Sequence, residues 1–138
     1  MEITRRSAIA MGAGALLIAG LPVRLSAAAE DAIAAFTGGA EVGTGDVRLI
    51  APEIAENGNT VPIEVGSDTA AEIMILAMGN PTPGVATFKF GPLAGSRTAS
   101  TRIRLAGTQD VVAIAKLEDG TFVQASSEVK VTIGGCGG

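Results

Sequence analysis

The chain has 138 residues, 10 of them basic and 14 acidic, with no histidine, tryptophan or tyrosine and a single cysteine, Cys136. Without histidine there is no Ser or Cys triad of the usual kind and no His-bound zinc, copper or haem, and one cysteine makes neither an internal disulfide nor an iron–sulfur cluster. The acidic balance argues against nucleic acid and anionic lipid as partners.

The first 29 residues read as an export signal. Thr4-Arg5-Arg6-Ser7 supplies a paired-arginine start, and Ala8 to Leu21 is small, apolar and uncharged. That run of about 14 residues falls short of the roughly 20 that a spanning helix needs. Leu25-Ser26-Ala27-Ala28-Ala29 offers the small residues a signal peptidase requires. The twin arginine, the mild glycine-interrupted core and Arg24 point to the twin-arginine (Tat) route, although Ala8 stands where such signals carry a bulky apolar residue. Cleavage after Ala28 or Ala29 is expected, which makes the protein periplasmic with no membrane insertion after signal removal. Losing Arg5, Arg6, Arg24 and Glu2 takes the 10 basic and 14 acidic residues to 7 and 13, a net charge of −6.

After the signal, Ile33 and Phe36 sit at helical spacing in a short N-terminal helix that Gly38-Gly39 stops. The period then changes to two. Val47 to Ile50 predicts a strand that ends before Pro52, and Glu56 to Asn59 a turn. Val61, Ile63 and Val65 alternate with Pro62 and Glu64; the missing donor of Pro62 suggests an edge or a strand start. Ile73 to Met78 is continuously apolar, as in a strand buried on both faces, and a partner subunit would help to bury it. Asn80 to Gly84 is an irregular loop, read as an ordinary connection. Ala86, Phe88 and Phe90 alternate with Thr87 and Lys89, and Gly91 to Ser96 breaks the pattern. Thr101, Ile103 and Leu105 alternate with Arg102 and Arg104, which read as a solvated face. Val111–Leu117 and Thr121–Ala125 flank Glu118-Asp119-Gly120, a strong hairpin signal. Val129, Val131 and Ile133 form a last strand, with Lys130 between them near its end.

Seven or eight short strands in about 100 residues predict an all-β, immunoglobulin-like antiparallel β-sandwich. Its domains are 1–29 signal peptide, 30–133 sandwich and 134–138 a C-terminal arm. Its core is modest, because its only aromatics are Phe36, Phe88, Phe90 and Phe122.

The arm is Gly134-Gly135-Cys136-Gly137-Gly138. Glycine loses more conformational freedom on ordering than any other residue and buries no side chain, so a flexible thread with one reactive atom is expected. At roughly 3.3–3.6 Å per extended residue, the sulfur stands on the order of 10 Å beyond the last strand. Such a thiol suits a covalently carried group, an intermolecular disulfide or a lipid. Prenylation needs the cysteine fourth from the end, and here it is third. No basic neighbour in sequence lowers the thiol's pKa, so it waits for an enzyme to activate it.

The ending Val129-Lys130-Val131-Thr132-Ile133-Gly134-Gly135-Cys136-Gly137-Gly138 strongly resembles the SoxY family, sulfur carriers of the periplasmic thiosulfate-oxidising (Sox) system. The resemblance extends through Val85-Ala86-Thr87-Phe88, Ser100 to Leu105, Val111-Val112-Ala113 and the twin-arginine signal. It implies a non-catalytic carrier whose Cys136 holds S–S–SO3 and sulfane adducts, with no cofactor beyond that bound sulfur and no metal. It implies a heterodimer with SoxZ, and transient docking to the SoxAX cytochrome, the SoxB hydrolase and, where present, SoxCD. Two other readings compete. A structural or adhesive sandwich would dimerise through Cys136. A ubiquitin-like carrier would hold sulfur on its terminal Gly-Gly, but it needs cytoplasmic activation and a β-grasp fold.

Overall fold

Alternating side chains on the strands build two facing sheets. The computed structural model describes residues 26–132, in the order α1 Ala27–Thr37, β1 Val42–Gly43, β2 Arg48–Ile50, β3 Ile54–Ala55, β4 Val61–Gly66, β5 Ala70–Ala77, β6 Gly84–Lys89, β7 Thr98–Ile103, β8 Gln109–Leu117 and β9 Phe122–Val131. The larger sheet runs β1-β9-β8-β5-β6, with β3 also paired to β9, and the smaller runs β2-β4-β7. Val61, Ile63 and Val65 of β4 and Ile103 of β7 pack against Ile73, Ile75, Val111, Ala113 and Val129 of the larger sheet to form the core between the two. This is the immunoglobulin-like sandwich that the alternation predicts.

The Ile73–Met78 run is buried on both sides, as expected, but no partner subunit is needed to achieve it. Ile73, Ile75 and Ala77 face the sandwich core, while Met74, Leu76 and Met78 face a second cluster built with Ala29, Ile33 and Phe36 of α1 and with Phe122. The chain's own N-terminal helix covers the outer face. Phe36 meets Phe122 edge to face with centroids 5.7 Å apart, a favoured aromatic geometry. Every fully buried side chain of this kind contributes roughly 1.5–3 kcal/mol, so two cores sharing β5 and β8 offset the scarcity of aromatics.

Helix α1 begins earlier than the Ile33–Phe36 spacing suggests. Ser26 caps it, its Oγ accepting from Ala29 N at 3.1 Å, and Glu30 lies in the first turn, where a carboxylate favours the helix dipole. Gly38 ends it at φ 67, and its N–H donates to Ala34 O at 2.8 Å; a residue with a Cβ is strained in that conformation.

Two further differences concern β9. Where two strands are expected, Thr121–Ala125 and one through Val129 and Val131, β9 runs unbroken from Phe122 to Val131, with Val129 to Phe122 paired to Gln109 to Lys116 of β8. In addition, β1 and β3 pair with β9 in parallel, so the larger sheet is mixed rather than wholly antiparallel. Pro62 is the second residue of β4, and β2 reaches only as far as Glu64, which leaves a flank where a residue without an N–H is tolerated. Among the described residues no helix is long and apolar enough to cross a membrane.

Candidate functional site

The predicted site residues Cys136, Gly134, Gly135, Gly137 and Gly138 lie outside the described residues, as does the predicted signal segment before Ser26. What the structure describes is the platform from which the arm departs.

That platform is the end of β9. Lys130 N donates to Glu53 O at 2.9 Å and Thr132 N to Ala55 O at 3.2 Å, both on the β3 side. On the other side β8 ends at Gln109, opposite Val129. There Val131 N donates to Thr108 Oγ1 at 2.9 Å. Three successive residues are therefore fastened alternately to the two flanks.

The loop that carries Thr108 is itself fixed by a hub of amide groups. Gln109, only 9% exposed, accepts from Gly79 N through Oε1 at 2.8 Å. Its Nε2 donates to Asn80 Oδ1 at 2.8 Å and to Gly107 O at 3.0 Å. Asn80 Oδ1 also accepts from Ala106 N at 2.9 Å, and Asn80 Nδ2 donates to Arg104 O at 2.8 Å. Gly79 lies so close that a Cβ there would meet Gln109 Cβ at 3.1 Å, which explains glycine at a position with no special φ. No buried side-chain N or O among the described residues lacks a partner.

Apolar surface lies beside the platform. Ile50 and Ile54 are 59% and 56% exposed. They border two adjoining open grooves that share Pro52 and Pro62. Arg102 is exposed on β7, where it lines the first groove and lies 3.5 Å from Thr60 Oγ1. Arg104 contributes its carbonyl to the hub, and Lys130 sits exposed opposite Ile54.

The opposite end of the sandwich is held by charge. Asp46 Oδ2 accepts from Ser67 Oγ, Asp68 N, Thr69 N and Thr69 Oγ1 at 2.7–3.1 Å. The Thr69 hydroxyl is the largest of the causes that hold its carboxyl below the ordinary value. Arg97 donates to Ala70 O at 2.7 Å and pairs with Glu118. The Thr121 hydroxyl and amide likewise lower the pKa of Asp119 at the hairpin turn. Among the described residues no group of three or more His, Cys, Asp or Glu side chains converges on a metal site.

Sequence reading finds the strand at the root of the arm, but Thr108 and Gln109 carry no signal in it, and Asn80 reads as part of an ordinary connection. The sole signal was an Asn at the start of the Pro-rich Asn80–Gly84 loop, because partners 24 to 30 residues away leave no periodic trace.

A family model described as "Sulfur oxidation protein SoxY" matches residues 33–136, a span that includes Cys136. Among solved structures, the sulfur carrier protein SoxY from Chlorobium limicola f thiosulfatophilum is similar at 37% identity. The match covers 75% of this chain and 96% of that one, with a TM-score of 0.66. A superoxide reductase (neelaredoxin) from Ignicoccus hospitalis is similar at 17% identity, 64% and 81% coverage and a TM-score of 0.56. A putative superoxide reductase from Thermotoga maritima is similar at 17% identity, 67% and 95% coverage and a TM-score of 0.54. The last two likenesses show the fold alone. A search of curated protein sequences returned no match.

Proposed function

This chain belongs to the SoxY family of sulfur oxidation proteins and is a sulfur carrier protein, and on that premise we propose that Cys136 is the covalent attachment point for the sulfur of thiosulfate. The observation that carries this reading is the family match, which runs through the only cysteine in the chain. The position of that cysteine, four residues past the anchored Thr132, supports it.

In the loading step the thiol loses its proton and joins the outer sulfur of thiosulfate. The product is Cys–S–S–SO3⁻, and two electrons pass to a c-type cytochrome, SoxAX. In the release step water attacks the terminal sulfonate, and a hydrolase, SoxB, frees hydrogen sulfate and leaves Cys–S–SH. SoxCD, where present, oxidises the remaining sulfane sulfur. The chain itself supplies no catalytic group. It presents the cargo from the periplasm after Tat export, as a heterodimer with SoxZ.

The physical terms fit a shuttle. Fixing each backbone residue costs roughly 1–2 kcal/mol, so ordering a five-residue arm in an enzyme costs on the order of 5–10 kcal/mol. That cost keeps each complex short-lived. The acidic chain and anionic cargo call for basic channel mouths, and raised salt should slow loading. The test is thiosulfate-dependent cytochrome reduction by the reconstituted system. Cys136→Ser should abolish it while leaving the thermal midpoint unchanged; turnover equal to the wild-type chain would end the carrier reading.

A further inference from the structure

We propose that Thr108 is a positioning residue that sets the point and direction at which the arm leaves the sandwich. The inference rests on the carrier reading of Cys136. The ladder between β8 and β9 finishes at the pair Gln109↔Val129. In a regular antiparallel ladder the next donor on that flank, Val131 N, would find a backbone carbonyl two residues further along the neighbour. Here the chain at 104–108 has already turned away, and Leu105 N is bonded to Gly58 O at 2.7 Å. The Thr108 hydroxyl stands in for the missing carbonyl at 2.9 Å. It is held in place from behind, since Gln109 and Asn80 bind the backbone at Arg104, Ala106 and Gly107.

The consequence concerns delivery. With Val131 fastened, β9 is restrained on both flanks to its last residue, and Thr132 beyond it is held from the β3 side. Without the hydroxyl, the end of β9 is held from the β3 side alone, by Lys130 N and Thr132 N, and can pivot away from β8. An enzyme that must stop this pivot meets a cost of about the size of fixing one residue, which lowers its specificity for the carrier by about five- to thirty-fold. Thr108 touches neither cargo nor reacting atoms, so the intrinsic reactivity of the thiol is unaffected.

The experiment uses the mature chain with its partner subunit. Thr108→Val, which keeps the shape and removes the acceptor, is compared with Thr108→Ala and Thr108→Ser. Three quantities are measured: kcat/KM for enzymatic loading of Cys136 with thiosulfate, the rate of Cys136 alkylation by iodoacetamide, and hydrogen exchange at the Val131 amide. Val and Ala should accelerate Val131 exchange and lower kcat/KM about five- to thirty-fold. Alkylation should stay at the wild-type rate, and Ser should restore loading. Unchanged Val131 exchange would overturn the proposal, as would faster exchange with undiminished loading or a parallel loss of alkylation. Loading that survives Cys136→Ser would instead defeat the carrier reading, which keeps the two failures separate.

Discussion

At the hairpin end of the sandwich, Asp46 collects four hydrogen bonds and Arg97 joins Ala70 O to Glu118. At the arm end, the bonds through Asn80, Gln109 and Thr108 run between amides, carbonyls and a hydroxyl, none of which titrates. Charged pins are strong but respond to pH and salt, whereas neutral ones act only when geometry is kept. The contrast teaches that the end where β9 leads toward Cys136 is fixed by neutral geometry, and the far end by charge.

The largest break in this contrast should come from Gln109→Ala. It removes the buried Gln109 side chain, the acceptor of Gly79 N–H, the donor to Gly107 O and one of the two donors to Asn80 Oδ1, which keeps Ala106 N. A loss of about 2 kcal/mol is expected, read as a fall in urea midpoint that is the same at pH 5 and pH 8. A pH-dependent loss would show that the hub is coupled to a titrating group.

Next comes Asp46→Ala, with an expected cost of about 1 kcal/mol at neutral pH. The carboxyl of Asp46 is held below its usual 3.8 in the folded chain. Its contribution is therefore complete above the unfolded-state pKa and is lost as pH falls through the lowered folded value. The wild-type and mutant stability curves should converge below about pH 4, while enzymatic loading of Cys136 stays unchanged at neutral pH. A mutant that loads poorly would mean that the ends communicate. Combining the substitutions at Gln109 and Asp46 should give additive losses, to within about 0.5 kcal/mol.

The smallest effect belongs to Glu118→Gln. Glu118 is 58% exposed in its pair with Arg97, and exposed ion pairs contribute about 0–1 kcal/mol. The loss should shrink further in 1 M salt. Salt-insensitive destabilisation would place the pair in a drier setting than its exposure indicates.

The sequence disclosed what depends on side-chain period. β4, β6 and β7 were legible from alternation, the Asp119-Gly120 turn from its residue types, and the double burial of β5 from its unbroken apolar run. The continuity of β9 was hidden because Gln124 to Glu128 are half-buried or exposed, so the apolar signal lapses where the ladder does not. β1 and β3 are two residues each and exist through their bonds to β9, with no pattern of their own. Helical spacing at Ile33 and Phe36 revealed α1 but not what it covers, because a stripe does not name its partner. Its first turn, Ala27 to Ala29, has the same small-residue composition that marks a signal cleavage region, so one stretch carried two meanings. The root hub was invisible for a different reason: hydrogen bonds between residues far apart in the chain obey no period.

The length of β9 also bears on how the molecule meets force. A pull applied to the end of β9 along its length acts parallel to the strand axis. Antiparallel hydrogen bonds lie perpendicular to that axis, and β9 has eight register pairs with β8 and further pairs with β1 and β3. An axial pull loads these bonds in shear, together, instead of peeling them one after another. Such tension is thereby spread over the whole strand and into the doubly buried pair β5–β8.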